Sequence, residues 1–351
     1  MNDIPNEPNE ADPGTSTVAD PGASTVARRL RSLPEHDPHD AVENAVLSRL
    51  AGNWHRRATV KQEEPNLDDV FELDRPDFPE ALLPFRQHPT YLALDDGTKA
   101  RILAWGWISF NKNIMDIEQH VVNPGFALVT QDVFDTGIDG ESMALAVTQA
   151  MVDEQYHTLM HLNASAVTRR KRGWRMPETA LPLAYKARRQ AHRLATAATD
   201  EERALVSLAF TTVAEISVNA HLDLVAENHE IQPVNRMTAV LHNRDEYCHA
   251  SIADTLAQEA WRHFSPGQRV YFLTALADGM EAFASHDFTT WARILDLLGV
   301  EGGAEMLRDV GSASGGKRLL QDFSGLRQLC QELDVLDTLP FDWSTVSTRT
   351  P

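Results

Sequence analysis

Two Glu-x-x-His motifs in long helical stretches restrict the fold of this chain more than any other feature. They read Glu154-Gln-Tyr-His157 and Glu246-Tyr-Cys-His249. Residues three apart on an α-helix lie within about 60° of each other around its axis, so each motif turns one carboxylate and one imidazole to the same side. A short motif of this kind also arises by chance, so its meaning depends on the helices that carry it.

Apolar residues recur at helical spacing over the greater part of the chain. This pattern predicts helices over about 98–121, 141–167, 199–227, 233–263 and 265–285. The boundary signals are Thr199 with Glu202 as a capping box, Pro233 and Pro266 in first helical turns, and a stop before Asn123-Pro124. Long helices joined by short turns predict an all-α fold, a helical bundle.

Two further glutamates stand alone in apolar helical stretches. Glu118 lies in NIMDIEQHVV and Glu215 in LAFTTVAEISVNA. A buried carboxylate costs free energy unless it is paired or binds a metal. The chain order is then Glu, Glu-x-x-His, Glu, Glu-x-x-His, which is the ligand order of ferritin-like di-iron and di-manganese proteins. We therefore predict a ferritin-like bundle whose four core helices hold two metal ions, iron with manganese as a substitute.

A third imidazole shares the helix face of the second motif. His242 lies four residues before Glu246 and seven before His249, and these spacings place the three side chains within about 60° of one another. We interpret His242 as a metal ligand; the alternative is a core histidine. Two other roles stay open, His161 as a partner of a ligand or an ordinary histidine, and Asp245 as an orienting group for a ligating imidazole.

Composition and charge exclude several classes of protein. The formal net charge of −19 argues against nucleic-acid binding, because phosphate contacts need a basic face. No apolar run reaches the roughly 20 residues that span a bilayer, and two cysteines are too few for a disulfide framework, so we expect a cytoplasmic protein.

Residues 11–26 repeat small residues and Pro-Gly turns. They predict a disordered tail over about 1–30, before a single di-iron domain over about 40–345.

One basic island stands out in this acidic chain. It comprises Arg169, Arg170, Lys171, Arg172, Arg175, Lys186, Arg188, Arg189 and Arg193. The simpler interpretation is a solvated loop and helix face. The other is a docking patch for an acidic partner, such as a ferredoxin that supplies electrons or an acidic carrier protein that holds the substrate.

Taken together, these segments resemble the arylamine (p-aminobenzoate) N-oxygenases, a family of di-iron carboxylate enzymes. The resemblance is carried by WISFNKNIMDIEQ, VDEQYHTLMH, VAEISVNA, LHNRDEYCHASI and GGKRLLQDFSGLR. It implies two iron ions per chain, a homodimer, and O2-dependent oxidation of an aromatic amine through hydroxylamine toward nitroso and nitro, as in antibiotic biosynthesis. The ligands that it implies are Glu118, Glu154, His157, Glu215, His242, Glu246 and His249.

Two positions depart from the aminobenzoate-oxidising pattern of that family. Phe110 stands in place of a tyrosine and Gln321 in place of an arginine. An arginine forks onto a carboxylate with two charge-assisted bonds, whereas a glutamine offers one neutral amide. The departure implies an arylamine other than p-aminobenzoate, one whose acid is lengthened, masked or carrier-bound. We predict Phe110, Phe283 and Gln321 as substrate-binding residues, the two phenylalanines forming an aromatic wall unless they are ordinary core aromatics.

Other functions compete with full oxidation to a nitro group. Oxidation that stops at hydroxylamine or nitroso would give azoxy products by coupling. A ferritin-like ferroxidase or iron-storage protein could use similar ligands, although the chain is longer than a cage-forming bundle. The simplest rival is a metal-free helical interaction protein, which metal analysis of the purified chain would test.

Overall fold

The described residues of the computed structural model form helices joined by turns and loops, with no β-strand among them. They are residues 43–63, 65–138, 140–313 and 322–346, all within the compact unit His36–Pro351. The predicted tail over 1–30 and the predicted start of the domain at residue 40 lie outside the described residues. The predicted all-α fold class is confirmed.

The helices are numbered here in chain order. They are α1 Glu43–Arg57, α2 Pro89–Leu92, α3 Asp96–Ile117, α4 Asn123–Thr130, α5 Gly140–Arg172, α6 Tyr185–Thr196, α7 Asp200–Ala226, α8 Pro233–His263, α9 Pro266–Ala284, α10 Thr289–Leu297, α11 Gly303–Ala313 and α12 Ser324–Glu332. A π-helical turn, Glu118–Val122, joins α3 to α4. Helix α8 has the predicted bounds, and α5 runs five residues past its predicted end at 167.

The predicted start signals work as helix caps. The Thr199 hydroxyl accepts a hydrogen bond from the Glu202 N–H at 3.1 Å at the start of α7. The Glu202 carboxylate accepts from the Ala198 N–H at 2.6 Å, one residue earlier than a capping box requires. At the start of α9, Ser265 and Gln268 form the complete box.

The helix stop predicted before Pro124 is wrong, because the chain passes this proline by way of the π turn. Asn123 has helical backbone angles, φ −56° and ψ −43°, and Pro124 enters the first turn of α4, where a missing N–H is tolerated. Side chains bond two carbonyls of the turn. The Asn123 amide donates to the Glu118 carbonyl at 3.2 Å, and the Thr211 hydroxyl donates to the Val121 carbonyl at 3.0 Å. Turns of this kind often occur at functional sites.

Close helix packing holds the π turn against α7. A Cβ added at Gly125 would lie 1.9 Å from Thr211 Oγ1, so this approach requires glycine. Helix α5 contacts α1, α3, α4 and α8, and α7 contacts α4, α6, α8 and α9. The apolar stretch of α7 is long enough to cross a bilayer. However, 72% of its apolar 18-residue segment is buried inside the protein, as in a core helix.

Candidate metal centre

The interior of the bundle brings together the seven side chains predicted as metal ligands. Each has at most 3% of its surface exposed. Four helical elements supply them: Glu118 from the π turn, Glu154 and His157 from α5, Glu215 from α7, and His242, Glu246 and His249 from α8. Four of the five predicted helices therefore contribute to one buried cluster.

The donor atoms of this cluster form two overlapping sets, each able to hold a metal ion. Within a set, the atoms lie within 4.8 Å of one another. The first set is Glu118, Glu154, His157, His242 and Glu246, and the second is Glu154, Glu215, Glu246 and His249. Glu154 and Glu246 belong to both sets, so each could contribute a ligand to two ion sites.

The two Glu-x-x-His motifs cross at these shared carboxylates. His157 Nδ1 lies 2.9 Å from Glu154 Oε2 and 3.2 Å from Glu246 Oε1. His249 Nδ1 lies 2.6 Å from Glu154 Oε1 and 3.5 Å from Glu246 Oε1. On the far side, His242 Nε2 lies 2.7 Å from Glu246 Oε1. Each imidazole of a motif therefore faces the carboxylates of both motifs.

Several of these buried atoms have no hydrogen bond. Glu118 Oε2, Glu154 Oε1, Glu215 Oε2 and His249 Nδ1 lack a hydrogen-bond partner among the described residues. Nδ1 of His249 and Oε1 of Glu154 lie 2.6 Å apart, but they are not aligned for a hydrogen bond. Buried polar atoms are nearly always satisfied in proteins, so atoms that converge without hydrogen bonds fit the ligands of a common cation.

The electrostatics of the cluster also require positive charge. Burial raises the pKa of Glu118 and Glu215 well above the usual range, and the charges of Glu154 and Glu246 raise it further. Four carboxylates that share a site closed to water need compensation. Two divalent cations would balance their charge, so the residues fit a pair of metal ions.

Aspartates hold the outer ring nitrogens of two imidazoles. Asp245 Oδ2 lies 3.2 Å from His157 Nε2, and Asp153 Oδ2 lies 3.2 Å from His249 Nε2. Each aspartate precedes the glutamate of one motif and bonds the histidine of the other. Such partners fix the orientation of ligating imidazoles. The contact of Asp245 with His157 supports the orienting role left open above, whereas Asp153 was missed, although its place before Glu154 matches that of Asp245.

A buried chain of polar side chains holds the third imidazole. His242 Nδ1 lies 2.9 Å from His161 Nε2, and His161 Nδ1 lies 2.7 Å from Asn111 Oδ1. The Asn111 amide donates to Ser165 Oγ at 2.8 Å. Burial and the neighbouring His242 lower the pKa of His161 well below its usual value, so its ring is neutral and can pass hydrogen bonds in one direction. His161 is therefore a partner of His242.

A narrow apolar cavity opens directly against the cluster. Glu118, Glu215 and Glu246 form its polar end. Its apolar walls include Ile114, Ile117, Val122, Ala214, Val218 and Phe283. A small apolar chamber with a few convergent polar groups is typical of a ligand site. The predicted substrate contact Phe283 thus lies beside the metal centre.

A wider cleft adjoins this cavity, and Asn113, Lys186 and His221 line both. Phe110 lies in the cleft, where its ring stacks on His221 at 5.0 Å between centroids. Phe110 and Phe283 therefore occupy adjoining spaces. The third predicted contact, Gln321, lies outside the described residues.

Lys186 places a cation where the cavity meets the cleft. Its Nζ lies 6.0 Å from the centre of the Phe283 ring. Burial lowers the pKa of Lys186 to about 8, and the charge of Asp287 works against this effect. Asp287 is itself paired with Arg188 at 2.6 Å, and no described residue forms an ion pair with Lys186. The sequence contained no signal for this role, because Lys186 is one cation among the nine of the basic island.

Comparison with known proteins identifies the family. Residues 40–334 match the family model described as p-aminobenzoate N-oxygenase AurF. The 4-aminobenzoate N-oxygenase of Streptomyces thioluteus is 35% identical over 308 residues, which cover 87% of this chain and 90% of that protein. The chain belongs to the p-aminobenzoate N-oxygenase family. The resemblance inferred from the motifs is confirmed.

Membership of the p-aminobenzoate N-oxygenase family identifies the chain as an oxygenase, and the prediction of an enzyme is confirmed. The matched range, 40–334, includes all four helical elements that supply the metal cluster. It also includes the side chains described above that line the inner cavity. The cluster and the cavity are therefore parts of the region that defines the family.

Proposed function

We propose that this chain is a di-iron N-oxygenase that uses O2 to oxidise an arylamine through hydroxylamine toward nitroso and nitro. The observation that carries the proposal is the pair of overlapping ligand sets that share Glu154 and Glu246 and open on an apolar cavity. Mixed carboxylate and imidazole ligation suits iron, with manganese as a substitute. The activity named for the Streptomyces thioluteus relative supports an aromatic amine as substrate.

Each ligand has a place in this proposal. Glu118, His157 and His242 would hold one ion, Glu215 and His249 the other, and Glu154 and Glu246 both. Two bound iron ions would supply the electrons that reduce O2. The apolar walls of the cavity would exclude water and hold the aromatic ring, with the amine directed to the end formed by Glu118, Glu215 and Glu246.

The substrate proposed here carries an acid away from its ring. The argument from Gln321 against a carboxylate on the ring stays a prediction. Lys186 adds support for an anionic group further out, because its charge lies where the inner cavity meets the cleft. An arylamine with a lengthened or carrier-bound acid could place its amine at the metal end and its acid at Lys186.

Product analysis with a panel of arylamines tests this function. The iron-loaded chain, a reductant and isotopically labelled O2 should give labelled hydroxylamine, nitroso or nitro products in mass spectra. Glu246→Gln serves as the control, because it alters a carboxylate of both ligand sets while preserving side-chain size. Unlabelled products, or no product from any amine, would refute N-oxygenation.

Product analysis and iron analysis together separate the competing functions. Azoxy products would indicate oxidation that stops at hydroxylamine or nitroso, and iron uptake beyond a fixed stoichiometry would indicate storage. Elemental analysis should find about two iron ions per chain if the ligand assignment is right. The proposal also includes a homodimer, which light scattering would test, and an external electron donor of the ferredoxin type.

A further inference from the structure

The outer partners of the three imidazoles end in different places. Asp245, behind His157, accepts from the Thr59 backbone N–H at 3.1 Å, and the Thr59 hydroxyl accepts from the exposed Arg244 at 2.8 Å, so this side ends in a cation and not in an aromatic ring. The chain behind His242 ends at Ser165, which has no exposed surface. The partner behind His249, Asp153, accepts from the indole N–H of Trp54. Among the described residues, this is the route from a ligating imidazole to a partly exposed aromatic side chain.

That outward route consists of two hydrogen-bonded steps. The Trp54 indole N–H donates to Asp153 at 2.8 Å to Oδ1 and 2.9 Å to Oδ2. Asp153 is fully buried, and its Oδ2 lies 3.2 Å from His249 Nε2. The opposite ring nitrogen of His249 faces the metal cluster. Trp54 itself lies on α1 and is partly exposed. A continuous path of short contacts thus joins the surface to the second ligand set.

The segment that carries Trp54 is basic between the acidic positions Glu43 and Glu63, unlike the protein as a whole. Between residues 44 and 62 the sequence contains no aspartate or glutamate, against a net charge of −19. Its cations are Arg49, Arg56, Arg57 and Lys61. Lys61 Nζ lies 4.5 Å from the centre of the Trp54 ring. We call Arg49, Arg56 and Lys61, all exposed, the α1 basic patch.

The basic island suits a docking role less well, because carboxylates of the chain neutralise much of it. Asp68 pairs with Arg170 at 2.6 Å and with Lys171 at 3.5 Å. Further ion pairs join Arg172 to Asp77, Arg188 to Asp287 and Arg193 to Asp278. The described residues form no ion pair with the side chains of the α1 basic patch. The three cations of the α1 basic patch therefore remain available to an acidic partner.

The geometry points to Trp54, Asp153 and His249 as the electron-entry route to the metal centre, with an acidic iron–sulfur carrier protein docked on the α1 basic patch. This inference rests on the proposed iron occupancy. In each passage the reduced carrier loses one electron and one ferric ion becomes ferrous; no bond is formed or broken and no proton is transferred. Two passages reduce both ions. Opposite charges on the two proteins would steer the encounter.

Stopped-flow reduction of the iron-loaded, full-length chain by chemically reduced [2Fe–2S] ferredoxin tests the route. Trp54→Phe keeps an aromatic ring but removes the N–H that reaches Asp153. It should slow the loss of ferric absorption by an order of magnitude at saturating ferredoxin while iron content stays unchanged. Trp261→Phe is the matched control, since this partly exposed indole packs on Phe272, and it should behave as wild type.

Charge reversal tests the docking surface separately. Arg56→Glu with Lys61→Glu should raise the ferredoxin concentration needed for half-maximal rate and weaken its dependence on salt. Arg175→Glu with Arg189→Glu, two exposed positions of the basic island, should change neither. If the two island substitutions raised the ferredoxin concentration for half-maximal rate and the two patch substitutions did not, the docking site would lie on the basic island, and this part of the inference would be overturned.

The two proposals fail in distinguishable ways. A wild-type chain that binds no iron, or oxidises no amine, would defeat the proposed function. An iron-loaded Trp54→Phe variant that ferredoxin reduces at the wild-type rate would defeat the electron route alone. Loss of iron from Trp54→Phe, with equally slow reduction by dithionite, would show that Trp54 only orients Asp153, which also overturns the route.

Discussion

The metal centre and the cavity beside it are stabilised in different ways. In the candidate centre, each of the three imidazoles has a partner on its outer side, and these partners come from neighbouring helices. In the cavity, the Lys186 cation has no ion pair among the described residues, because the nearby Asp287 is paired with Arg188. The imidazoles of the centre are thus held by hydrogen bonds within the protein, whereas the cavity presents a charge that a ligand could satisfy. Changes in the centre should therefore alter metal binding, and changes in the cavity should alter substrate preference.

Loss of a shared carboxylate should have the largest effect. Glu154→Ala and Glu246→Ala each remove a ligand from both sets, so each should release most of the iron. His249→Ala removes a ligand from the second set alone, so it should retain about one ion per chain if the sets act separately. Elemental analysis after desalting gives the stoichiometry. Full iron occupancy in the Glu154 and Glu246 variants would contradict the assignment of the centre.

Loss of an outer aspartate should have a smaller effect on the same property. Asp153→Asn and Asp245→Asn remove the negative charge behind His249 and His157. Changes to such partners typically cost about 10–100-fold in metal affinity or activity. Competition with a chelator measures the affinity, and Asp116→Asn is a control, because Asp116 is bonded to Lys112 and not to a ligand. Wild-type affinity in both aspartate variants would mean that helix packing alone orients the imidazoles.

These two regions also differ in how far the sequence predicts them. The ligands follow helical periodicity, since a carboxylate and a histidine three residues apart must share a helix face. The same reasoning could have found Asp153, which repeats the position of Asp245. The π turn was missed because Asn123-Pro124 is a helix stop in most contexts, and tertiary contacts such as the Thr211 bond to Val121 override it here. Lys186 depends on the packing of α6 against α7 and α9, which local pattern does not contain.

The approach of α4 to α7 offers a test of the helix that supplies Glu118. Gly125→Ala should lower the free energy of unfolding by about 1–3 kcal/mol, because the new methyl group meets Thr211 in a packed contact. It should also weaken iron binding by displacing the π turn. Gly267→Ala is the control, since an added Cβ there meets no atom within 4 Å. Thermal unfolding of both variants without metal isolates the packing effect, and equal midpoints would refute it.

Substitution in the cavity should have the smallest effect and leave iron content unchanged. Lys186→Met should lower kcat/KM for an arylamine with an extended acid by about tenfold relative to its neutral amide, because a charged hydrogen-bond partner is lost. Lys186→Arg is the conservative control and should preserve much of the preference. Equal ratios in wild type and Lys186→Met would exclude Lys186 as the acid-binding residue.

The pH dependence of that preference identifies the charge responsible. Lys186 attracts an anion only while it is protonated, so a pKa of about 8 predicts a preference that is full below this pH and lost as the pH rises through it. Bound anion would stabilise the protonated form, so kcat/KM, which reports the free enzyme, is the proper measure. The neutral amide should show no such loss, and Lys186→Arg should extend the preference to higher pH.

Gln321→Arg should favour p-aminobenzoate over the extended acid, because an arginine fork binds a ring carboxylate better than one amide does. If wild type already prefers p-aminobenzoate and Gln321→Arg leaves the ratio unchanged, the argument from Gln321 is wrong.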